Sequence, residues 1–145
     1  IRLSDIELSI NLPSSANKLL ELATAFEDYP KYLDASIKSV KIIEKNNNNI
    51  ITDEVFMFKS LFDHELVQRT KHTIGENSIH SEIIDGPFKG TLIDVVFEKI
   101  DSGTKVSVKA DYKISLKYKI LGPLIKQKYR TMIIGFLYKM NSQLM

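Results

Sequence analysis

Between Ile37 and Leu116 the chain reads as strand-length segments separated by short turn signals, and this run limits the architecture more than any other feature. Ile37 to Lys45, Ile50 to Leu61, Asp63 to Ile74, Ser78 to Ile84, Phe88 to Ile100 and Lys105 to Leu116 are predicted as strands. Turns fall at Asn46-Asn47-Asn48-Asn49, Gly75-Glu76-Asn77, Asp85-Gly86-Pro87 and Asp101-Ser102-Gly103. Asn and Gly tolerate left-handed backbone angles, and connections this short join antiparallel neighbours. An open antiparallel sheet needs something to cover its apolar face. The sequence around the run supplies it.

Ahead of the run, Ile6 to Leu12 alternates apolar and polar and adds a further strand, which Pro13-Ser14-Ser15 stops. Ser14 or Ser15 can cap a helix from about Ala16, in which Leu19, Leu20, Leu22, Ala23 and Phe26 recur at helical spacing. Pro30 interrupts that helix, and Tyr32-Leu33 reads as a second short helical piece. After the run, Gly122-Pro123 opens a long helix to about Ser142. Leu121, Ile125, Tyr129, Met132, Ile133, Phe136 and Met140 form its apolar stripe. The economical arrangement is an α+β fold: a curved antiparallel sheet of about seven strands wrapped around a long C-terminal helix, with two short helices after the first strand.

Length and composition agree with a single domain over residues 1–145. The chain has 145 residues, 43% hydrophobic and 26% charged, so a core is available and disorder is not expected. It has no cysteine, which excludes disulfides, thiolate metal sites and a cysteine nucleophile. The longest apolar run, Met132 to Tyr138, is far short of the ~20 residues that cross a bilayer. No secretory signal is visible, and a cytoplasmic location is expected.

Charge is uneven. Asp111 is the last acidic residue, and Lys113, Lys117, Lys119, Lys126, Lys128, Arg130 and Lys139 follow it. Such a basic end can attract an anionic partner or answer the acidic remainder of its own domain.

Several local segments resemble those of one superfamily. Phe26-Glu27-Asp28-Tyr29-Pro30-Lys31-Tyr32-Leu33 is similar to its tyrosine-proline segment after the first helix, and Asp85-Gly86-Pro87-Phe88 to its Gly-Pro-Phe connection. Asp101-Ser102-Gly103-Thr104, followed by Val106, Val108 and Tyr112, resembles its last hairpin, and Leu121-Gly122-Pro123-Leu124 the entry to its closing helix. In this order they resemble the START-like, birch-pollen-allergen-like superfamily with the helix-grip fold. Within it they resemble the polyketide cyclase/dehydrase and coenzyme-Q-binding subgroup. Relatives often carry a Trp in the strand after Gly-Pro-Phe; this chain has none, and Val95 stands in that place.

The resemblance implies an elongated cavity between helix and sheet that takes lipids, isoprenoid quinones, polyketides or other apolar ligands. Alternation suggests the lining. Val106, Val108, Ala110, Tyr112 and Ile114 form one face of the last strand, and Thr91, Ile93, Val95 and Phe97 the same face of the one before. His64, Leu66, Gln68, Thr70, His72 and Ile74 oppose Glu65, Arg69 and Lys71, and Ile79, Ser81 and Ile83 follow the same logic. From the helix come Tyr129, Ile133 and Phe136. No carboxylate is placed in this lining by the pattern. The Gly86-Pro87 turn and the loop near Asp63 are the expected gate segments.

No nucleophile elbow, phosphate-binding glycine loop or HExxH motif is present, and no cofactor is implied. His64 and His72 are ~26 Å apart along an extended strand and His80 turns outward, so no metal site is expected. Three functions remain. The first is binding of one hydrophobic small molecule. A second is a polyketide cyclase, aromatase or dehydratase in the same cavity, with His72 or His64 moving protons and Tyr112 as partner. The third is association with an anionic membrane surface or the ribosome through Lys126, Lys128 and Arg130. Sequence-specific nucleic-acid recognition has no motif to support it.

Overall fold

The computed structural model describes residues 6–33, 37–57 and 64–145. Strand β1 (Ile6–Leu12) leads into helix α1 (Ala16–Thr24) and a 3-10 segment (Phe26–Lys31). There follow β2 (Ile37–Asn46), β3 (Asn49–Phe56), β4 (Leu66–Ile74), β5 (Ser78–Asp85), β6 (Leu92–Ile100) and β7 (Gly103–Asp111). A second 3-10 segment (Leu116–Leu121) runs directly into helix α2 (Gly122–Ser142). The seven strands form one sheet in the order β1-β7-β6-β5-β4-β3-β2, every pairing antiparallel. Hairpin after hairpin builds β2 to β7, and β1 then adds beside β7. This is the α+β helix-grip architecture that the sequence predicts.

The differences are local. Helix α1 ends at Thr24 rather than at Pro30, because the chain tightens into the 3-10 segment that contains Pro30. There the missing amide proton of proline costs little. Tyr32 closes that segment instead of opening a new helical piece. Strand β6 starts at Leu92: residues 87–90 form a turn, and Phe88 is a fully buried core side chain ahead of the strand. Strand β7 ends at Asp111, five residues before the predicted end. The distal part of the strand predicted from Ile50 and the loop near Asp63 lie outside the described residues.

Two positions show why the turns hold. Asn47 takes a left-handed φ of 54° in the β2–β3 turn, the angle the asparagine run permits. Gly103, at φ 142°, lets the β6–β7 turn meet the end of β1, where any Cβ would collide with the Leu12 carbonyl oxygen. Nearby, the Thr104 hydroxyl donates to the Ser14 carbonyl at 2.7 Å, and buried Asn141 accepts from the Ser14 amide at 3.3 Å. Helix α2 is thereby tied at its C-terminal end to the β1–α1 junction.

The sheet encloses two apolar clusters. One joins α1 and the last turns of α2 to the sheet through Leu19, Phe26, Phe97, Val106, Leu137 and Met140. The other surrounds Phe88, whose ring lies 5.3–5.8 Å from those of Phe56, Tyr112 and Tyr129. Among the described residues, no helix is long and apolar enough to cross a membrane.

Candidate functional site: an apolar cavity with a polar cluster

Between α2, the α1–β2 region and the concave face of the sheet lies a cavity of about 190 Å³. Its wall is mostly apolar. Strand β6 contributes Ile93, Val95 and Phe97, β7 contributes Val108, and β5 contributes Ile83. Helix α2 brings Tyr129, Ile133 and Phe136 from the predicted stripe, together with Met132 and Leu137. Phe26, Tyr29 and Leu33 close it from the segment after α1.

One part of the wall is polar, and the strand register assembles it. Glu54 on β3 pairs with Gln68 on β4, Thr52 with Thr70, and His72 with Ser81 on β5. Because side chains alternate across a sheet, all six point to the concave face. There they bond to one another. The Glu54 carboxylate accepts from the Thr52 hydroxyl (2.8 Å), the Thr70 hydroxyl (2.5 Å) and the Gln68 amide (3.0 Å). His72 sits between Thr52, 2.8 Å from Nε2, and Ser81, 2.7 Å from Nδ1. Its ring stacks on Phe26 with centroids 4.0 Å apart and planes at 20°.

The proton positions follow from this geometry. A threonine hydroxyl has one hydrogen. If Thr52 donates it to Glu54, the Thr52 oxygen must accept from His72 Nε2–H. In the neutral imidazole Nδ1 then accepts from Ser81. Burial supports that state, lowering the His72 pKa from 6.5 to about 4. Burial pushes the Glu54 carboxyl up, while its bonds to Thr70, Gln68 and Thr52 pull it down and nearby Asp53 raises it again. All three bonded partners are neutral. Tyr29, also on the wall, donates to the Ala23 carbonyl at 2.5 Å, and burial followed by the charge of Glu54 holds its phenol protonated.

Of the predicted lining residues, Gln68, Thr70, His72, Ile79, Ser81, Ile83, Ile93, Val95, Phe97, Val108, Tyr129, Ile133 and Phe136 stand on the cavity wall. Ile74, Val106, Ala110 and Ile114 belong to the apolar clusters instead. Four others also lie off the wall. His64 is exposed two residues ahead of β4, where no alternation fixes its direction. Leu66 packs into the Phe88 cluster instead. Thr91 is engaged structurally: its hydroxyl donates to the Lys113 carbonyl at 3.1 Å and accepts the Lys113 amide at 3.0 Å. Tyr112 lies beyond the end of β7 and is fully buried between Phe88 and Tyr129, so the proposed partner of His72 stands outside the cavity wall.

The expectation that no carboxylate enters the lining is overturned by Glu54. Its strand has Asp53 and Glu54 side by side, with apolar residues on both faces, so alternation alone does not choose between them. The useful signal is Arg69. It sits on the outer face of β4 and holds Asp53 through two bonds of 2.7 and 3.0 Å, which leaves Glu54 inside. On the outer face His80 likewise meets Asp94 at 2.6 Å. Among the described residues no group of three or more His, Asp or Glu side chains converges as a metal site requires.

A curved seven-stranded sheet gripping a C-terminal helix over such a cavity defines a START-like protein. Comparison with family models places residues 12–136 in the family described as polyketide cyclase / dehydrase and lipid transport. The chain belongs to that family. Solved structures agree on the fold. A protein from Thermus thermophilus superposes with a TM-score of 0.82 at 15% identity, covering 96% of this chain and 95% of that one. The Zhui aromatase/cyclase from a Streptomyces species gives 0.81 at 9% identity over 98% and 96% of the two chains. A START superfamily protein from Mycobacterium smegmatis gives 0.78 at 18% identity over 97% and 99%. No curated protein sequence matches the chain.

Proposed function

We propose that the protein binds one small hydrophobic molecule in the cavity between α2 and the sheet. The observation that carries this reading is the combination of an apolar wall with a single polar cluster in a space of about 190 Å³. Ligand sites typically have that composition. Size narrows the occupant: an engineered apolar cavity of about 150 Å³ holds benzene, so this one suits a body of one or two rings. A whole lipid or an isoprenoid tail exceeds that volume.

Apolar burial sets the scale of affinity. A ring comparable to an aromatic side chain buries about 150–250 Å², which gives about 4–6 kcal/mol before the cost of association. A bare ring therefore binds weakly, and the polar cluster must supply the rest. The test is a titration with naphthalene followed by amide NMR. Shifts centred on Ile93, Val95 and Val108 that vanish in Val95→Phe support the reading. An unperturbed spectrum at saturating naphthalene refutes it.

A second reading, turnover of a polyketide-type substrate, rests on the chain Ser81–His72–Thr52–Glu54. Proton gain at Glu54 would reverse every donor along it, so the chain can carry a proton between the carboxyl and Ser81. Glu54 and His72 then replace the His72–Tyr112 pair as acid–base candidates. Aromatase/cyclases among the structural neighbours are consistent with this. Loss of turnover in His72→Gln with naphthalene binding intact would establish it.

A third reading concerns the basic end. Leu116, Ile120 and Leu124 are 74%, 90% and 53% exposed at the start of α2 and the 3-10 segment before it, next to Lys117 and Lys119. Lys126, Lys128 and Arg130 follow on the helix. Apolar side chains that insert and lysines that attract favour an anionic membrane over a ribosome.

A further inference from the structure

We propose that the polar end of the cavity receives a hydrogen-bond donor, so the ligand carries a hydroxyl or ammonium group on its apolar body and not a carboxylate. This rests on the cavity being a ligand site, as proposed above, and adds which chemistry that site selects.

The inventory of donors and acceptors is the reason. Both threonine hydroxyl hydrogens, from Thr52 and Thr70, are directed at Glu54, and so is an amide hydrogen of Gln68. Orienting Gln68 the other way would set its oxygen against the carboxylate, so this arrangement is fixed. Ser81 and His72 Nε2 use their hydrogens within the chain that ends at Glu54. What stays open is almost entirely acceptor. A carboxylate offers about four lone-pair sites, and three bonds reach Glu54. The Ser81 oxygen, on the cavity wall, keeps acceptor capacity, whereas Gln68 Oε1, without a donor among the described residues, is sealed from it. Against these stands one remaining amide hydrogen of Gln68.

Charge points the same way. The side chains that bond Glu54 are all neutral, and among the described residues no lysine or arginine lines the cavity. An incoming carboxylate would meet a like charge in a low-dielectric space with no cation to offset it. An incoming hydroxyl hydrogen or ammonium finds an open lone pair. The rings of Phe26, Tyr29 and Phe136 on the wall favour the ammonium further, since aromatic faces attract cations. A ketone or an ether brings only acceptors and leaves the cluster unanswered.

The experiment uses one scaffold with four end groups: 2-naphthol, 2-naphthylmethylammonium, 2-methoxynaphthalene and 2-naphthoate, titrated calorimetrically at neutral pH. The expected result is that 2-naphthol or the ammonium binds at least tenfold more tightly than the methyl ether, with naphthoate weakest. In Glu54→Gln, whose amide adds donors, that advantage should shrink below about threefold and naphthoate should gain. Equal binding of naphthol and the ether, or preference for naphthoate, overturns the donor rule while leaving the cavity reading intact. No binding by any of the four overturns both. Should Glu54→Gln fail to fold, the ranking on the unaltered protein decides alone.

Discussion

Thr52 and His72 stand on neighbouring strands, one diagonal step apart in the β3–β4 register, and the 2.8 Å contact between them joins a buried carboxylate to a buried imidazole. Both the carboxylate and the imidazole bond to the same hydroxyl. The threonine hydroxyl is the link, accepting from one side and donating to the other.

Removing that link has a defined outcome. Thr52→Val keeps the shape but leaves His72 Nε2 and one oxygen of Glu54 without their partner. An unsatisfied buried polar group costs about 1–3 kcal/mol, so a loss of that size is expected in chemical denaturation. Imidazole nitrogen shifts give an independent reading: the signature of the Nε2–H form should weaken in the variant. Unchanged nitrogen shifts would show that Thr52 does not set the tautomer.

Tyr112 leads to the opposite expectation. Its hydroxyl is buried and has no partner among the described residues, although its ring is packed against those of Phe88 and Tyr129. Deleting a hydroxyl that bonds nothing removes a desolvation cost and no interaction. Tyr112→Phe should therefore match or exceed the parent in melting temperature and bind naphthalene equally well. A fall of several degrees would mean that the hydroxyl is engaged after all.

The pH dependence follows from His72. Burial brings its pKa from 6.5 to about 4, so the unfolded chain takes up this proton before the folded one does. Stability from this group is complete above pH 6.5 and is lost as the pH falls towards 4. At 1.36 kcal/mol per unit, the loss between about pH 7 and pH 5 is about 2 kcal/mol. Glu54, pushed up by burial, has the opposite slope, becoming less favourable as the pH rises above its ordinary value. Comparing the parent with His72→Gln removes that contribution, because both retain Glu54. Denaturation curves should diverge by about 2 kcal/mol on acidification, and parallel curves would place the imidazole in contact with water.

How much of this was legible in the chain depends on the strand. In β4 the charges Arg69 and Lys71 fall on one face, so Gln68, Thr70 and His72 are directed inward by alternation alone. Strand β3 has no such contrast, and Glu54 becomes readable only once Arg69 is seen to hold Asp53 outside. Tyr112 shows a different limit. Period two states which face a residue occupies but not how far along the strand the cavity extends, and Tyr112 lies past its end. Phe26 falls on the apolar spacing of the first helix, but Tyr29 was hidden for a third reason: the 3.6-residue period is lost at Ala25, where the chain passes into the 3-10 segment.

The basic end offers the last prediction. Three lysines or arginines near an anionic surface contribute about 1 kcal/mol each, so Lys126, Lys128 and Arg130 together correspond to roughly a 150-fold gain in partitioning. Exposed Ile120 and Leu116 would add apolar insertion that salt does not screen. Cosedimentation with phosphatidylserine vesicles should therefore fall steeply, though not to zero, as ionic strength rises. Reversing Lys126 and Arg130 to Glu should remove the salt-dependent part, and Ile120→Ser the residual part. Naphthalene binding should survive both changes, because neither Lys126, Arg130 nor Ile120 stands on the cavity wall. Binding that is equal on neutral phosphatidylcholine vesicles would refute the electrostatic component and leave the lysines as solvated cover for the helix.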